Sequence, residues 1–204
     1  IVYALSSPVD DPLVETYDNT SLNSQNSLPR DEIQLPIYQD KKAYVKKANQ
    51  ENANDSAIYV QEPLYSQQWG LEAINVHKLW NKPKITTKRP VIAILDTGID
   101  TEHPDLAANI WTNERETAGL EGQDDDNNGF TDDLHGWDFI NQTGTIRDFN
   151  GHGTHCAGII AAELNNDKGT AGVASKANVK LMALRFLDED GSGYLDAAIS
   201  ASTL

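Results

Sequence analysis

The spacing of apolar and polar positions changes character near residue 60. Residues 1–60 open with the apolar run Ile1-Val-Tyr-Ala-Leu5, then turn to Ser, Asn, Asp, Gln and Pro with no sustained helical or strand period. That composition predicts a polar linker or loosely attached surface segment. From Glu62 the pattern tightens. Leu71, Ile74 and Leu79 fall near one helical face with Trp80 beside them, and Lys82-Pro-Lys84 ends that helix. Pro90-Val-Ile-Ala-Ile-Leu-Asp96 is an unbroken, β-branched apolar run, expected of a strand buried on both faces of a parallel sheet. Cys156 to Leu164 reads as a helix of small residues, Asn178 to Phe186 as a second buried strand, and the spacing of Leu195, Ala198 and Ile199 as another helix. Strand, loop, helix, strand, loop, helix predicts an α/β fold, a mostly parallel central sheet with helices on both faces. The domain reading is therefore a tail and linker over 1–60 and one folded unit over 61–204. The chain begins at Ile1 rather than Met and stops inside the last helical pattern, so it reads as a fragment.

Composition narrows the functions that such a fold could carry. The formal charge of −15 argues against nucleic acid, because phosphate backbones are bound by basic patches that release counterions. No apolar run reaches the length of a membrane span. The single cysteine, Cys156, rules out an internal disulfide framework and a multi-cysteine zinc site.

Candidate chemistry sits at element ends. Asp96 closes the first buried strand and is followed by Thr97 and Gly98; in open α/β sheets, catalytic groups gather at the carboxyl ends of strands. An apolar strand ending in Asp-Thr-Gly also marks aspartic proteases, in which two carboxylates share a proton. No second such motif occurs, and Ile99-Asp100 stands where those enzymes carry a small residue. The other motif is Asn150-Gly-His-Gly-Thr-His-Cys-Ala-Gly-Ile-Ile-Ala-Ala162. A carboxylate and a distant histidine, each beside glycines at an element terminus, are what an acid-oriented general base needs: the acid fixes the tautomer and stabilises the imidazolium. Gly151 and Gly153 are expected to let a substrate backbone approach the ring. The rival use of His152 and His155 as metal ligands lacks a third ligand at zinc-like spacing.

Together, Val91-Ile-Ala-Ile-Leu-Asp-Thr-Gly-Ile-Asp-Thr-Glu-His-Pro-Asp-Leu106 and the histidine motif resemble the aspartate and histidine signatures of the subtilases, the subtilisin-like serine proteases. The likeness runs from about Glu62 to the end, in the order Asp, His, Ser that subtilisin uses. It implies a three-layer subtilisin-like fold, incomplete here, and a secreted or cell-surface serine endopeptidase made as a zymogen. Asp96 would orient His152, His152 would take the proton of a serine, and His155 would be structural. Cys156 matches family branches in which the cysteine lies beneath the catalytic ring, so a mercurial on it should crowd His152. No Gly-Thr-Ser segment occurs in the 204 residues. The nucleophile is thus expected beyond the C-terminal end, and the chain by itself is expected to be inactive. Asp188-Glu-Asp-Gly-Ser-Gly-Tyr-Leu195 matches the family's glycine-rich substrate edge, making Gly191, Ser192 and Gly193 candidate subsite walls and Leu195 a pocket residue for an extended peptide or protein substrate. From composition alone the same stretch reads as a flexible turn ahead of a helix. Ile1 to Leu5 resembles the closing strand of the family's propeptide, which would act on the enzyme as inhibitor and chaperone.

Between the two motifs, residues 121–133 hold six acids and no base. Hard oxygen ligands at such density select Ca²⁺. Asp124, Asp126, Asn128 and Asp132 take the first, third, fifth and ninth positions of an EF-hand-like loop, Phe130 offers a carbonyl at the seventh, and Asp133 substitutes for the absent terminal glutamate. A merely solvated acidic loop is the alternative. The resemblance implies a second Ca²⁺ site from Glu62, Asp105 and Asn166 with the carbonyls of Leu164, Lys168 and Thr170. The rival to an enzyme is a calcium-binding pseudo-protease, a peptide-binding surface module that shares all these residues; the aspartic protease is the more remote alternative.

Overall fold

A computed structural model describes residues 2–5, 60–82, 89–202 and 204. Residues 6–59, nearly all of the tail and linker expected over 1–60, lie outside that set. The central sheet has four strands in the order β1-β2-β4-β3, with β1 Val2–Leu5, β2 Val91–Asp96, β3 Gly136–Asp138 and β4 Lys180–Arg185. β2 and β4 run parallel in register from Val91 opposite Lys180 to Asp96 opposite Arg185, and β3 runs parallel to the end of β4. The two apolar runs therefore become adjacent parallel strands, as their composition predicts.

Alternation along these strands sorts their side chains onto two faces. On one face Ile94, Leu181 and Ala183 pack with Ala157 and Ala161 of helix α4, His152–Ala161, and with Ile99, Leu106 and Ile110. On the other face Ala93, Leu95, Met182 and Leu184 pack with Trp137, Phe139 and Ala201 of helix α5, Leu195–Ala201. Three layers result, helix, sheet, helix. Small residues on α4 let that helix sit close to the sheet; each large aliphatic side chain so buried contributes about 1.5–3 kcal/mol.

Two departures from expectation have local causes. The helix predicted across residues 71–80 is two short helices, α1 Trp69–Ala73 and α2 His77–Trp80, because Asn75 between them takes a left-handed φ of 56°. Leu71 and Trp80 are buried with Val76 and Ala171, whereas Ile74 and Leu79 are exposed. The apolar start of the chain also does not stand apart from the folded unit: Val2–Leu5 lies antiparallel on the free edge of β2. A β-branched and aromatic strand satisfies the edge N–H and C=O groups that β2 would otherwise present. Helix α3, Glu114–Ala118, is capped by the Asn113 side chain, which accepts from Arg115 N, and leads into the acidic loop.

Candidate active site

Asp96 ends β2 on the sheet's carboxyl edge, where its carbonyl takes the N–H groups of Phe186 and Leu187. Its side chain is buried and points at the first residue of α4. His152 Nδ1 lies 2.7 Å from Asp96 Oδ1, the same oxygen that accepts from Thr97 N at 2.8 Å. A carboxylate only accepts, so Nδ1 carries the proton and Nε2 is left with a free lone pair. The exposures suit that division of labour: the imidazole is 63% exposed and the carboxylate 6%. Residues 56 apart in sequence thus form an oriented base with its working nitrogen free to reach solvent or a reactant.

Two glycines let the loop after β2 pack closely on the start of α4 and the loop before it. A Cβ on Gly153 would sit 2.0 Å from the Gly98 carbonyl oxygen, and one on Gly98, whose φ is +112°, would sit 2.7 Å from the Arg147 carbonyl oxygen. Only hydrogen fits at Gly153, so this residue serves helix-to-loop contact and not the approach of substrate that its place beside the histidine suggests. Gly151, by contrast, is exposed with open space where a Cβ would be.

Cys156 follows one helical turn after His152, with Sγ 3.9 Å from Nδ1. Burial, and then the Asp96 charge, push its thiol up, which disfavours the thiolate and any nucleophilic use. Ligand atoms of Asp96, His152 and Cys156 all lie within 4.8 Å of one another, close enough for a mercurial on the sulfur to meet the imidazole. His155 points elsewhere and lines an apolar groove with Ile159 and Trp69.

The glycine-rich segment runs beside the histidine. Asn150 Nδ2 donates to Glu189 O at 2.8 Å, joining the loop before α4 to the loop after β4. Asp188 closes a turn by accepting from Asp190 N and Ser192 N, Gly191 takes φ +77°, and Gly191, Ser192 and Gly193 are exposed. Leu195, at the start of α5, is 77% exposed.

The acidic loop folds into a carboxylate cluster. Ligand atoms of Glu116, Asp124 and Asp126 lie within 4.8 Å of one another. Asn113 Nδ2 donates to both Asp126 and Asp133, and Asn128 Nδ2 to the same two residues. Asp133 is almost fully buried, and burial raises its pKa, opposed by the Asn113 and Asn128 hydrogen bonds and reinforced by the charges of Asp126 and Glu116. Asp132 turns away, its Oδ2 accepting from Gly122 N, and the Phe130 ring packs on Trp137 and Phe139. Asn113 and Glu116 escaped the sequence reading because they precede the acid-rich run; the signal available was a Glu one turn into a capped helix immediately upstream.

A second oxygen-rich place lies between residues 62, 105 and 163–170. Asp105 accepts from Asn166 Nδ2 and Thr170 N, and Asn166 Oδ1 accepts from Lys168 N. Glu62 Oε1 accepts from Asn165 N and Asn166 N, while Glu62 Oε2 is buried with no hydrogen-bond partner. Leu164 packs its side chain against the cluster formed by Leu71, Val76, Trp80 and Ala171. An ionised oxygen buried without a donor costs several kcal/mol unless a cation meets it, so this donor set and the loop cluster both suit a hard cation.

Among the described residues no helix is long and apolar enough to cross a membrane. A sequence model described as the Subtilase family matches residues 87–203, more than half of the chain. "Subtilisin-like protease 1" of Plasmodium falciparum (isolate 3D7) is 44% identical over 131 residues, 63% of this chain and 18% of that protein. Thermitase of Thermoactinomyces vulgaris is 36% identical over 143 residues, 70% of this chain and 42% of that protein. The chain thus spans less than half the length of either relative. The Asp96–His152 pair at the sheet's carboxyl edge and the extent of these matches establish that the chain belongs to the subtilase family.

Proposed function

We propose that this chain supplies the acid and the base of a serine endopeptidase whose nucleophile comes from sequence outside these 204 residues. The observation that carries the reading is the 2.7 Å bond between a buried Asp96 and an exposed His152. His152 Nε2 would take the proton of a serine hydroxyl as its oxygen attacks the scissile carbonyl, then return that proton to the leaving amine as the C–N bond breaks. Asp96 stays ionised throughout, holding Nδ1–H and stabilising the imidazolium. An extended peptide or protein substrate would lie along Gly191, Ser192 and Gly193, with Leu195 against a more distant side chain. A pseudo-protease has no physical need for an oriented base, and a carboxyl protease needs a second carboxylate where His152 stands.

Two Ca²⁺ sites belong to this reading. Asp124, Asp126, Asn128 and Asp133 would hold one, joined by Glu116, with Asp132 and the Phe130 carbonyl at its margin; Glu62, Asp105 and Asn166 with carbonyls of Leu164, Lys168 and Thr170 would hold the other. Bound Ca²⁺ would neutralise packed carboxylates and stiffen the loops beside the site. The buried, unpartnered Glu62 Oε2 supports the second site. Secretion, synthesis as a zymogen and inhibition by the enzyme's own propeptide complete the proposal.

The test uses the longer protein that includes the serine. A fluorophosphonate should label it and abolish peptide hydrolysis, and His152→Ala should prevent labelling. Inhibition by pepstatin without fluorophosphonate labelling would overturn the reading, as would peptide hydrolysis by the 204-residue chain alone.

A further inference from the structure

Asp148 stands four residues before His152, and its carboxylate gathers five donors. Oδ1 accepts from Thr97 Oγ1 at 2.9 Å, Asn150 N at 3.1 Å and Gly151 N at 2.8 Å. Oδ2 accepts from Thr154 N at 2.9 Å and Thr154 Oγ1 at 2.6 Å. Burial would raise this group, but the bonds from Thr154, Gly151 and Thr97 outweigh it and hold the carboxyl below its ordinary range.

A helix cap accounts for part of this pattern, since Gly151 N and Thr154 N are free donors at the start of α4. It does not account for the Thr97 arm. Thr97 follows Asp96 directly, its N–H holds Asp96 Oδ1, and its hydroxyl oxygen accepts from Gly153 N, next to His152. Through this one hydroxyl and one carboxylate, the loop that carries the acid is tied to the helical turn that carries the base. His152 and Asp96 sit on separate elements, and a sub-ångström slip between those elements would lengthen a 2.7 Å bond beyond use.

We propose that Asp148 is a positioning residue for the Asp96–His152 pair, clamping the loop after β2 to the first turn of α4 through Thr97 and Thr154. The proposal rests on the reading of His152 as the base. Asp148→Asn keeps the shape of the side chain but replaces one acceptor atom with an NH₂ that faces donors, so the clamp opens on one side.

The experiment reads the hydrogen-bonded Nδ1 proton of His152 by NMR in the 204-residue chain, with amide spectra and thermal melting followed in parallel. The unsubstituted chain should show a slowly exchanging, low-field Nδ1 resonance, and Asp148→Asn should lose it while the amide signals of β2 and β4 persist. If Asp148→Asn does not fold, Thr97→Val and Thr97→Ser decide: loss in the valine variant with retention in the serine variant supports the clamp. Retention of the resonance in folded Asp148→Asn, or in Thr97→Val, overturns it. Absence of the resonance from the unsubstituted chain refutes the Asp96–His152 bond itself, a separate failure. In the longer, active protein, Asp148→Asn should lower kcat about tenfold with KM nearly unchanged; a change in melting temperature alone would mark Asp148 as merely structural.

Discussion

The region around His152 and the region around Asp133 both concentrate carboxylates, and they neutralise them by different means. Asp148 accepts five hydrogen bonds and Asp96 two, all from this chain's own donors. In the loop cluster Glu116, Asp124, Asp126 and Asp133 also accept from backbone and asparagine N–H groups, but they crowd one another, and at the second oxygen-rich place Glu62 Oε2 meets no donor. Charge that is answered by N–H and O–H groups is built into the fold and survives without additives. Charge set against charge depends on protons or a cation. The Asp96–His152 pair rests on the first kind alone, and the acidic loops add the second.

The sharpest way to test that division is to remove the acid–base pair. In the longer protein His152→Ala should cut kcat by about 10⁶-fold and Asp96→Asn by about 10⁴-fold, the scale set by such losses in serine proteases including subtilisin itself. Single-turnover kinetics should show both deficits in acylation, with little effect on melting. Cation removal should do the reverse. EDTA should lower stability by about 3–4 kcal/mol if Ca²⁺ had been present at 100–1,000 times its Kd, read as a fall in melting temperature and faster loop cleavage, and Glu62→Gln should abolish part of that response. An unchanged melt would remove Ca²⁺ from the account.

A further variant, Gly153→Ala, acts on the contact between the two regions of backbone that carry the pair. Its Cβ would overlap the Gly98 carbonyl, and destabilisation of about 1–3 kcal/mol by urea unfolding is expected. The smallest effect is the most diagnostic for the comparison. Asp133 has a raised pKa in the fold, so its contribution is favourable at low pH and is lost as pH rises through the folded value; Asp148 has a lowered pKa, so its contribution is favourable above the ordinary carboxylate range and is lost as pH falls through the folded value. Without cation, Asp133→Asn should raise the melting temperature at neutral pH by about 2–4 °C, and the gain should shrink on acidification. With Ca²⁺ in excess the same substitution should be destabilising.

Much of this was legible in the sequence, for identifiable reasons. β2, β4 and α4 are uniform runs whose period admits one element each, and the two motifs fall at their ends. β3 has three residues, Gly136–Asp138, too few to show alternation. The helix expected across 71–80 failed at Asn75, since an αL asparagine leaves the apolar spacing on either side intact while rotating its second half. Pairing of Val2–Leu5 with β2 is non-local and depends on a free sheet edge, which no window of sequence reveals. Asp148 was missed because an aspartate among Arg147, Phe149 and Asn150 looks like any loop polar residue; its role rests on Thr97, far away in the chain, and on the fold that brings the two together.

The meeting of Gly153 with the Gly98 carbonyl carries one more consequence. A helix against a sheet can usually slide or roll a little, exchanging one set of side chains for another. Here the bare face of a single residue acts as a keyway, and rotating α4 by one position would drive His152 or Thr154 into the main chain of the facing loop. The angular phase of the helix is thereby quantised, so an imidazole delivered to this sheet edge arrives in one orientation before any nucleophile is there to meet it.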